Sequence, residues 1–112
     1  MFSARLINHK DTCMLNICDT ELLGRTLNRG SFTLKISEKY YADKVVEKEE
    51  AKELLRRSDN INMVGKEIIS LSVDLGIGSQ DGIKEIDGIP FLIVLKCRSS
   101  QLYRKICTFF YG

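Results

Sequence analysis

A chain of 112 residues with 44% hydrophobic and 29% charged side chains is sized for one domain. Its composition is neither that of a disordered chain nor that of a disulfide scaffold. The net charge of +2 is too small to imply nucleic acid, but it is unevenly placed: residues 1–87 carry 13 basic and 15 acidic side chains, residues 88–112 four basic and none acidic.

The opening stretch Met1 to Asp11 is broken by charge too early for a secretory signal. The longest apolar run, Ile89 to Leu95, has seven residues against about twenty for a membrane span. With four cysteines, Cys13, Cys18, Cys97 and Cys107, these features lead to the expectation of a cytoplasmic protein in a reducing compartment, with no membrane partner.

In chain order, Phe2–Ile7 and Cys13–Cys18 read as a hairpin whose polar loop of about five residues holds His9, the sole histidine. Asp19 is suited to cap a short helical turn ending at Gly24, with Glu21 where the helix dipole favours an anion. After a turn at Asn28–Ser31, Phe32, Leu34 and Ile36 alternate with polar residues, as in a strand with one wet face. Residues 38–44 read as a loop. Glu47–Arg57 has acids in its first turn and Arg56-Arg57 in its last, the charge order of a helix.

The segment Asn60–Gly76 has Ile61, Val64, Ile68, Leu71 and Leu75 at intervals of three and four, which predicts a core helix ended by Gly76. Gly65 and Ser72 fall at the edge of that stripe, where another backbone could approach. Gly76–Gly82 reads as a loop. Asp87-Gly88 between Ile83–Ile86 and Ile89–Leu95 is a strong hairpin signal, with Pro90 at an edge or at the start of a strand. The continuous apolarity of Phe91–Leu95 predicts a centrally buried strand, or one whose second face meets a partner. Together these elements predict an α+β fold, a two-layer sandwich in which a mostly antiparallel sheet is covered by a helix pair. Residues 1–95 form the domain, with 96–112 a basic-aromatic extension.

Several stretches together resemble an archaeal family of small uncharacterised proteins, domain of unknown function 424. They are Cys18-Asp19-Thr-Glu-Leu-Leu-Gly24, Tyr40-Tyr41, Val45-Val46, Glu53-Leu-Leu-Arg-Arg57, Asn62-Met-Val-Gly65, Leu75-Gly76 and Ile86-Asp-Gly-Ile-Pro90. Family members tend to carry a histidine directly after the proline. This chain has Phe91 there, so no ligand or base is carried over to that position. The resemblance implies an archaeal intracellular protein and transfers no activity.

No catalytic constellation stands out. Cysteine spacings of four and nine intervening residues do not match a zinc knuckle, so no metal and no cofactor is expected. A single histidine offers no nucleophile–base pair. The carboxylates Asp19 and Glu21, and Asp81, Glu85 and Asp87, could hold a cation or shuttle a proton, but local caps and turns account for them. Gly76-Ile-Gly78 and Gly82 follow a helix rather than joining a strand to one, so they are not a phosphate loop.

Asn62 reads as a tie to the preceding loop or, with Arg56 and Arg57, as part of a partner surface. In the extension, Lys96, Arg98, Arg104 and Lys105 interleave with Tyr103, Phe109, Phe110 and Tyr111. Such residues can neutralise phosphates and stack on bases, or dock aromatics inward and leave the charges outside.

The expectation is a non-enzymatic protein that binds RNA or a ribonucleoprotein, plausibly the ribosomal subunit, through Lys96, Arg98, Tyr103, Arg104 and Lys105. The alternatives are a small metal-dependent hydrolase using the acids near Asp19, and a protein-interaction module.

Overall fold

The computed structural model describes residues 1–9 and 11–96. In chain order they form β1 (Phe2–His9), β2 (Thr12–Asp19), a 3-10 turn (Thr20–Leu22), β3 (Thr26–Arg29), β4 (Phe32–Lys35) and α1 (Glu38–Tyr41). These are followed by β5 (Lys44–Val46), α2 (Lys48–Arg57), β6 (Asn60–Val64), α3 (Lys66–Asp74), a second 3-10 turn (Gln80–Gly82), β7 (Lys84–Ile86) and β8 (Ile89–Leu95). Six strands build one sheet in the order β5-β1-β2-β6-β8-β7, and β3 and β4 form a separate hairpin. The sheet is mixed: β2 and β6 run parallel, while the other neighbouring pairs are antiparallel.

Alternation along each strand sends one set of side chains to each face. Leu15 and Ile17 of β2, Ile61 and Met63 of β6, and Leu92 and Val94 of β8 pack with Ala51, Leu54 and Leu55 of α2 and Ile68, Ile69 and Leu71 of α3. On the other face, Cys18, Val64 and Ile86 pack with Leu22, Leu27, Ile36 and Tyr41. The β3–β4 hairpin, α1 and the turn after β2 thus cover one end of that second face.

The expected helix over Asn60–Gly76 is corrected. Its first part is the strand β6, and only Lys66–Asp74 is helical. Ile61 and Met63 alternate with Asn60 and Asn62, and β6 sits between β2 and β8, where backbone pairing on both sides overrides the three-four spacing. Ile61 and Val64, read as one stripe, therefore face opposite sides of the sheet. Leu71 is buried, while Lys66, Ser70 and Asp74 are exposed. The expected loop at 38–44 contains α1 and begins β5, and β3 has no counterpart in the sequence pattern. β1 extends to His9, so that residue ends a strand rather than lying in the loop.

The hairpin at Asp87-Gly88 is present, with positive φ at both residues (55° and 79°), the backbone that a two-residue turn of this hand requires. Pro90 is the second residue of β8, and its carbonyl accepts the Gly65 N–H at 2.9 Å. The missing donor therefore faces Gly65, beyond the last residue of β6. Gly65 directs its own carbonyl to the Ile69 N–H, so the proline interrupts no ladder bond.

Candidate functional site

Two places in the sheet concentrate polar side chains, and they differ in kind. The first is the end where the parallel strands β2 and β6 terminate, the position at which open α/β sheets place their ligands. Asp19, the last residue of β2, is 3% exposed. It does not cap the turn that follows it. Its two carboxylate oxygens instead accept the backbone N–H groups of Glu67 (3.0 Å) and Ile68 (2.9 Å). These are orphan donors of the first turn of α3, nearly fifty residues further along the chain.

Gly65 makes this contact possible. A Cβ there would stand 2.5 Å from the Asp19 carboxyl, and its φ of +122° is one that L side chains rarely adopt. Burial raises the Asp19 pKa. The two N–H bonds act in the opposite direction, and the nearby Glu67 and Glu21 charges add to the rise. Beside it, burial followed by the Asp19 charge pushes the Cys18 thiol up to about 12. Ser3 Oγ and Thr20 Oγ1 lie 3.0 Å apart on the adjoining strand and turn.

A cleft of about 230 Å³ lined by Met1, Asp19, Thr20, Glu21 and Glu67 opens at this junction. A groove of about 360 Å³ beside it is bounded by Phe2, Lys48, Lys66, Glu67, Ser70, Leu71 and Asp74. Among the described residues, no three His, Cys, Asp or Glu side chains are grouped to hold a metal ion.

The second place is the far half of the sheet face that carries the β3–β4 hairpin. The strand register aligns Arg5, Asn16, Asn62 and Ile93 in one row across β1, β2, β6 and β8, and Ile7, Met14, Asn60 and Leu95 in the next. None of these eight belongs to either buried core cluster. Ile93 is 53% exposed, and all the others except Asn16 are half-buried. Asn62 Nδ2 donates to Asn16 Oδ1 at 2.8 Å. The pair still offers an amide NH₂ from Asn16 and a carbonyl from Asn62. Arg5 reaches the Lys39 carbonyl at the edge of this surface.

Asn62 is thus tied to a neighbouring strand rather than to the preceding loop. It also lies on the sheet face turned away from α2, so it shares no surface with Arg56 and Arg57, which are exposed at the end of α2. Arg56 sits 3.7 Å from Glu53. Lys96 donates from Nζ to the carbonyls of Leu55 (2.5 Å) and Arg56 (2.7 Å), a cation placed at the negative end of α2. The Lys96 main-chain N–H donates to Asp59. Burial lowers the Lys96 pKa, and the nearby Cys13 raises it by less. Arg98, Tyr103, Arg104 and Lys105 lie outside the described residues.

Sequence reasoning missed Arg5, Asn16 and Asn60. The available signal was a polar residue at every second position of β6 (Asn60, Asn62) and of the first part of β1 (Ser3, Arg5), whereas β8 showed only the unbroken apolarity of Phe91–Leu95. The alternation becomes informative only once the strand order is known.

The model of a family described as protein of unknown function (DUF424) matches residues 7–97. A crystal structure of an uncharacterized conserved protein from Methanopyrus kandleri is similar to this chain at 28% identity, with a TM-score of 0.70. It covers 88% of this chain and 96% of its own. No curated protein matches. Three of the stretches that carried the resemblance meet in space: Asp19 rests on Gly65, and Pro90 receives the Gly65 amide.

Proposed function

Because the chain belongs to the DUF424 family of proteins of unknown function, its activity has to be read from its own surface, and we propose that it is a non-enzymatic RNA- or ribonucleoprotein-binding protein, plausibly ribosome-associated. The observation that carries this reading is the open half of the sheet, where the Asn16–Asn62 amide pair lies between Arg5 and Ile93. Asparagine amides offer a donor and an acceptor side by side, the pattern that base edges require, and a guanidinium can meet phosphate. Single-stranded RNA is commonly read on exposed sheet faces and by side chains that stack on splayed bases. The stacking rings in this reading are Tyr103 and its neighbours in residues 97–112, next to the same strands in sequence. The acidic junction at Asp19 gives a hydrolase little support, because both oxygens of that carboxylate already accept N–H groups from α3.

The test is sedimentation of the full-length protein from lysate with and without ribonuclease. The reading predicts migration with ribonucleoprotein particles that ribonuclease releases. Migration as a free small protein in both samples would overturn it.

A further inference from the structure

β7 covers only part of the outer edge of β8. It pairs with Ile89, Pro90 and Phe91 and stops there, while β8 continues to Leu95 against β6 on its inner side. The Pro90 carbonyl and the Lys96 N–H both point to the β6 side, so by alternation Ile93 and Leu95 turn their N–H and C=O groups outward. Among the described residues nothing pairs with those groups. Charge and proline, two devices that ordinarily blunt a strand edge, are both absent from Leu92–Leu95, because Pro90 lies under β7. Ile93 is 53% exposed, and a groove of about 890 Å³ along this edge is bounded by Ile77, Asp81, Leu92, Ile93 and Lys96 among others.

We infer that this edge binds a second copy of the chain, β8 against β8 and antiparallel, so that two six-stranded sheets join into one. The edge is complementary to itself. Antiparallel pairing sets each outward-facing residue opposite another, and Ile93 and Leu95 are separated by Val94 alone. A two-fold axis through Val94 therefore places Ile93 of each copy opposite Leu95 of the other, and both become pairs that exchange N–H···O bonds. In that register Leu92 stands opposite the second copy's Lys96, so the new strand stops short of Phe91, where β7 begins. No like charges are opposed.

The flanks match as well. Gly82 packs on Leu92, since an added Cβ would stand 3.0 Å from that side chain. Exposed Asp81 thus lies beside Leu92, on the sheet face that carries α2 and α3. Lys96 holds the last turn of α2, with Arg56 and Arg57 exposed there, on the same face. The axis brings Asp81 of each copy to this basic end of the other, a complementarity that a free peptide of arbitrary sequence lacks. Lys84 shares the face of Ile86 and points to the opposite side. Pairing over Leu92–Lys96 is a small interface, so the dissociation constant should be about 1 μM or weaker. The inference does not depend on RNA binding and holds or fails without it.

Sedimentation equilibrium of the full-length, ribonuclease-treated protein between about 1 μM and about 1 mM tests it. The mass should rise from that of the 12.8 kDa chain toward twice that value. In a sample mixed from isotope-labelled and unlabelled chains, Val94 Hα should contact Val94 Hα of the other copy, the close approach of a pair without mutual hydrogen bonds. Ile93→Pro removes an outward donor and no bond to β6, and should weaken association by at least about 10-fold. Asp81→Lys, at an exposed position, should weaken it by about 3- to 10-fold. If the proline prevents folding, Asp81→Lys and the Val94 contact decide. A mass that stays at one chain throughout would overturn the inference. So would a dimer without the Val94 contact, one indifferent to Asp81→Lys, or Ile93 and Leu95 amides already protected from exchange in the monomer, which means an edge occupied within one chain.

Discussion

At the Asp19 junction, polar side chains face backbone amides; across the open half of the same sheet, they face each other and solvent. Asp19 is buried and both its oxygens are occupied by the first turn of α3. Asn16 and Asn62 make one mutual bond and keep further donors and acceptors in reserve. Burial alone does not distinguish the two, since Asn16 is 8% exposed. The distinction is the use to which the groups are put. A carboxylate with an N–H from α3 on each oxygen is committed to holding that helix, whereas an amide pair on an uncovered face keeps an NH₂ and a carbonyl for a partner.

That comparison is broken most severely from the covered side. Leu71→Ala, at a site 6% exposed, should lower unfolding free energy by about 2–5 kcal/mol. Gly65→Ala adds a side chain 2.5 Å from the Asp19 carboxyl at an unfavourable φ, and should cost about 2–4 kcal/mol through strain and the lost cap. Denaturant melts of both variants check these values. A loss of a few tenths for Gly65→Ala would show that Asp19 does not hold α3.

A pH comparison sharpens the same point. Folding raises the Asp19 pKa above its ordinary value of 3.8, so the folded state favours the protonated acid. The resulting contribution is complete below 3.8 and is lost as pH rises through the raised value. Relative to Asp19→Asn, the wild type should therefore lose stability as pH rises from below the ordinary value to neutrality. Equilibrium melts of the pair at matched pH report that difference, and a wild type that gains over that range would contradict the assigned burial effect.

A smaller effect is expected for thiol chemistry. Cys18, buried and with its pKa pushed up to about 12, should resist alkylation in the native protein at pH values where half-buried Cys13 reacts. Peptide mapping after brief iodoacetamide treatment separates them. On the open side, Asn62→Ala should cost only about 0.5–1.5 kcal/mol of stability, the worth of one hydrogen bond.

Much of the fold was legible in the sequence because its signals were local. Asp87-Gly88 fixed a hairpin through backbone geometry, the charge order of Glu47–Arg57 marked α2, apolar β-forming runs on either side of a polar stretch marked β1 and β2, and alternation marked β4. The segment Asn60–Gly76 was not legible, because Ile61, Val64 and Ile68 satisfy a helical spacing by coincidence. What decides the matter is pairing with β2 and β8, strands remote in sequence. Asp19 shows the same limit: its residue type announced a cap, but its neighbour in sequence is not the helix it caps. The open sheet half was hidden for a related reason. Arg5, Asn16, Asn62 and Ile93 become one row only through the register of four strands.

The central claim is that this row binds RNA, and the most direct measurement is the salt dependence of affinity for ribosomal RNA. It compares the full-length protein with the variant Arg5→Ala/Asn62→Ala. If Arg5 meets a phosphate of a single strand, the slope of log affinity against log salt should become shallower by about 0.7. Affinity should also fall at every salt concentration, while the melting curve moves by no more than the loss expected for Asn62. An unchanged slope and affinity in a variant that folds normally would show that the open half of the sheet is not the binding surface.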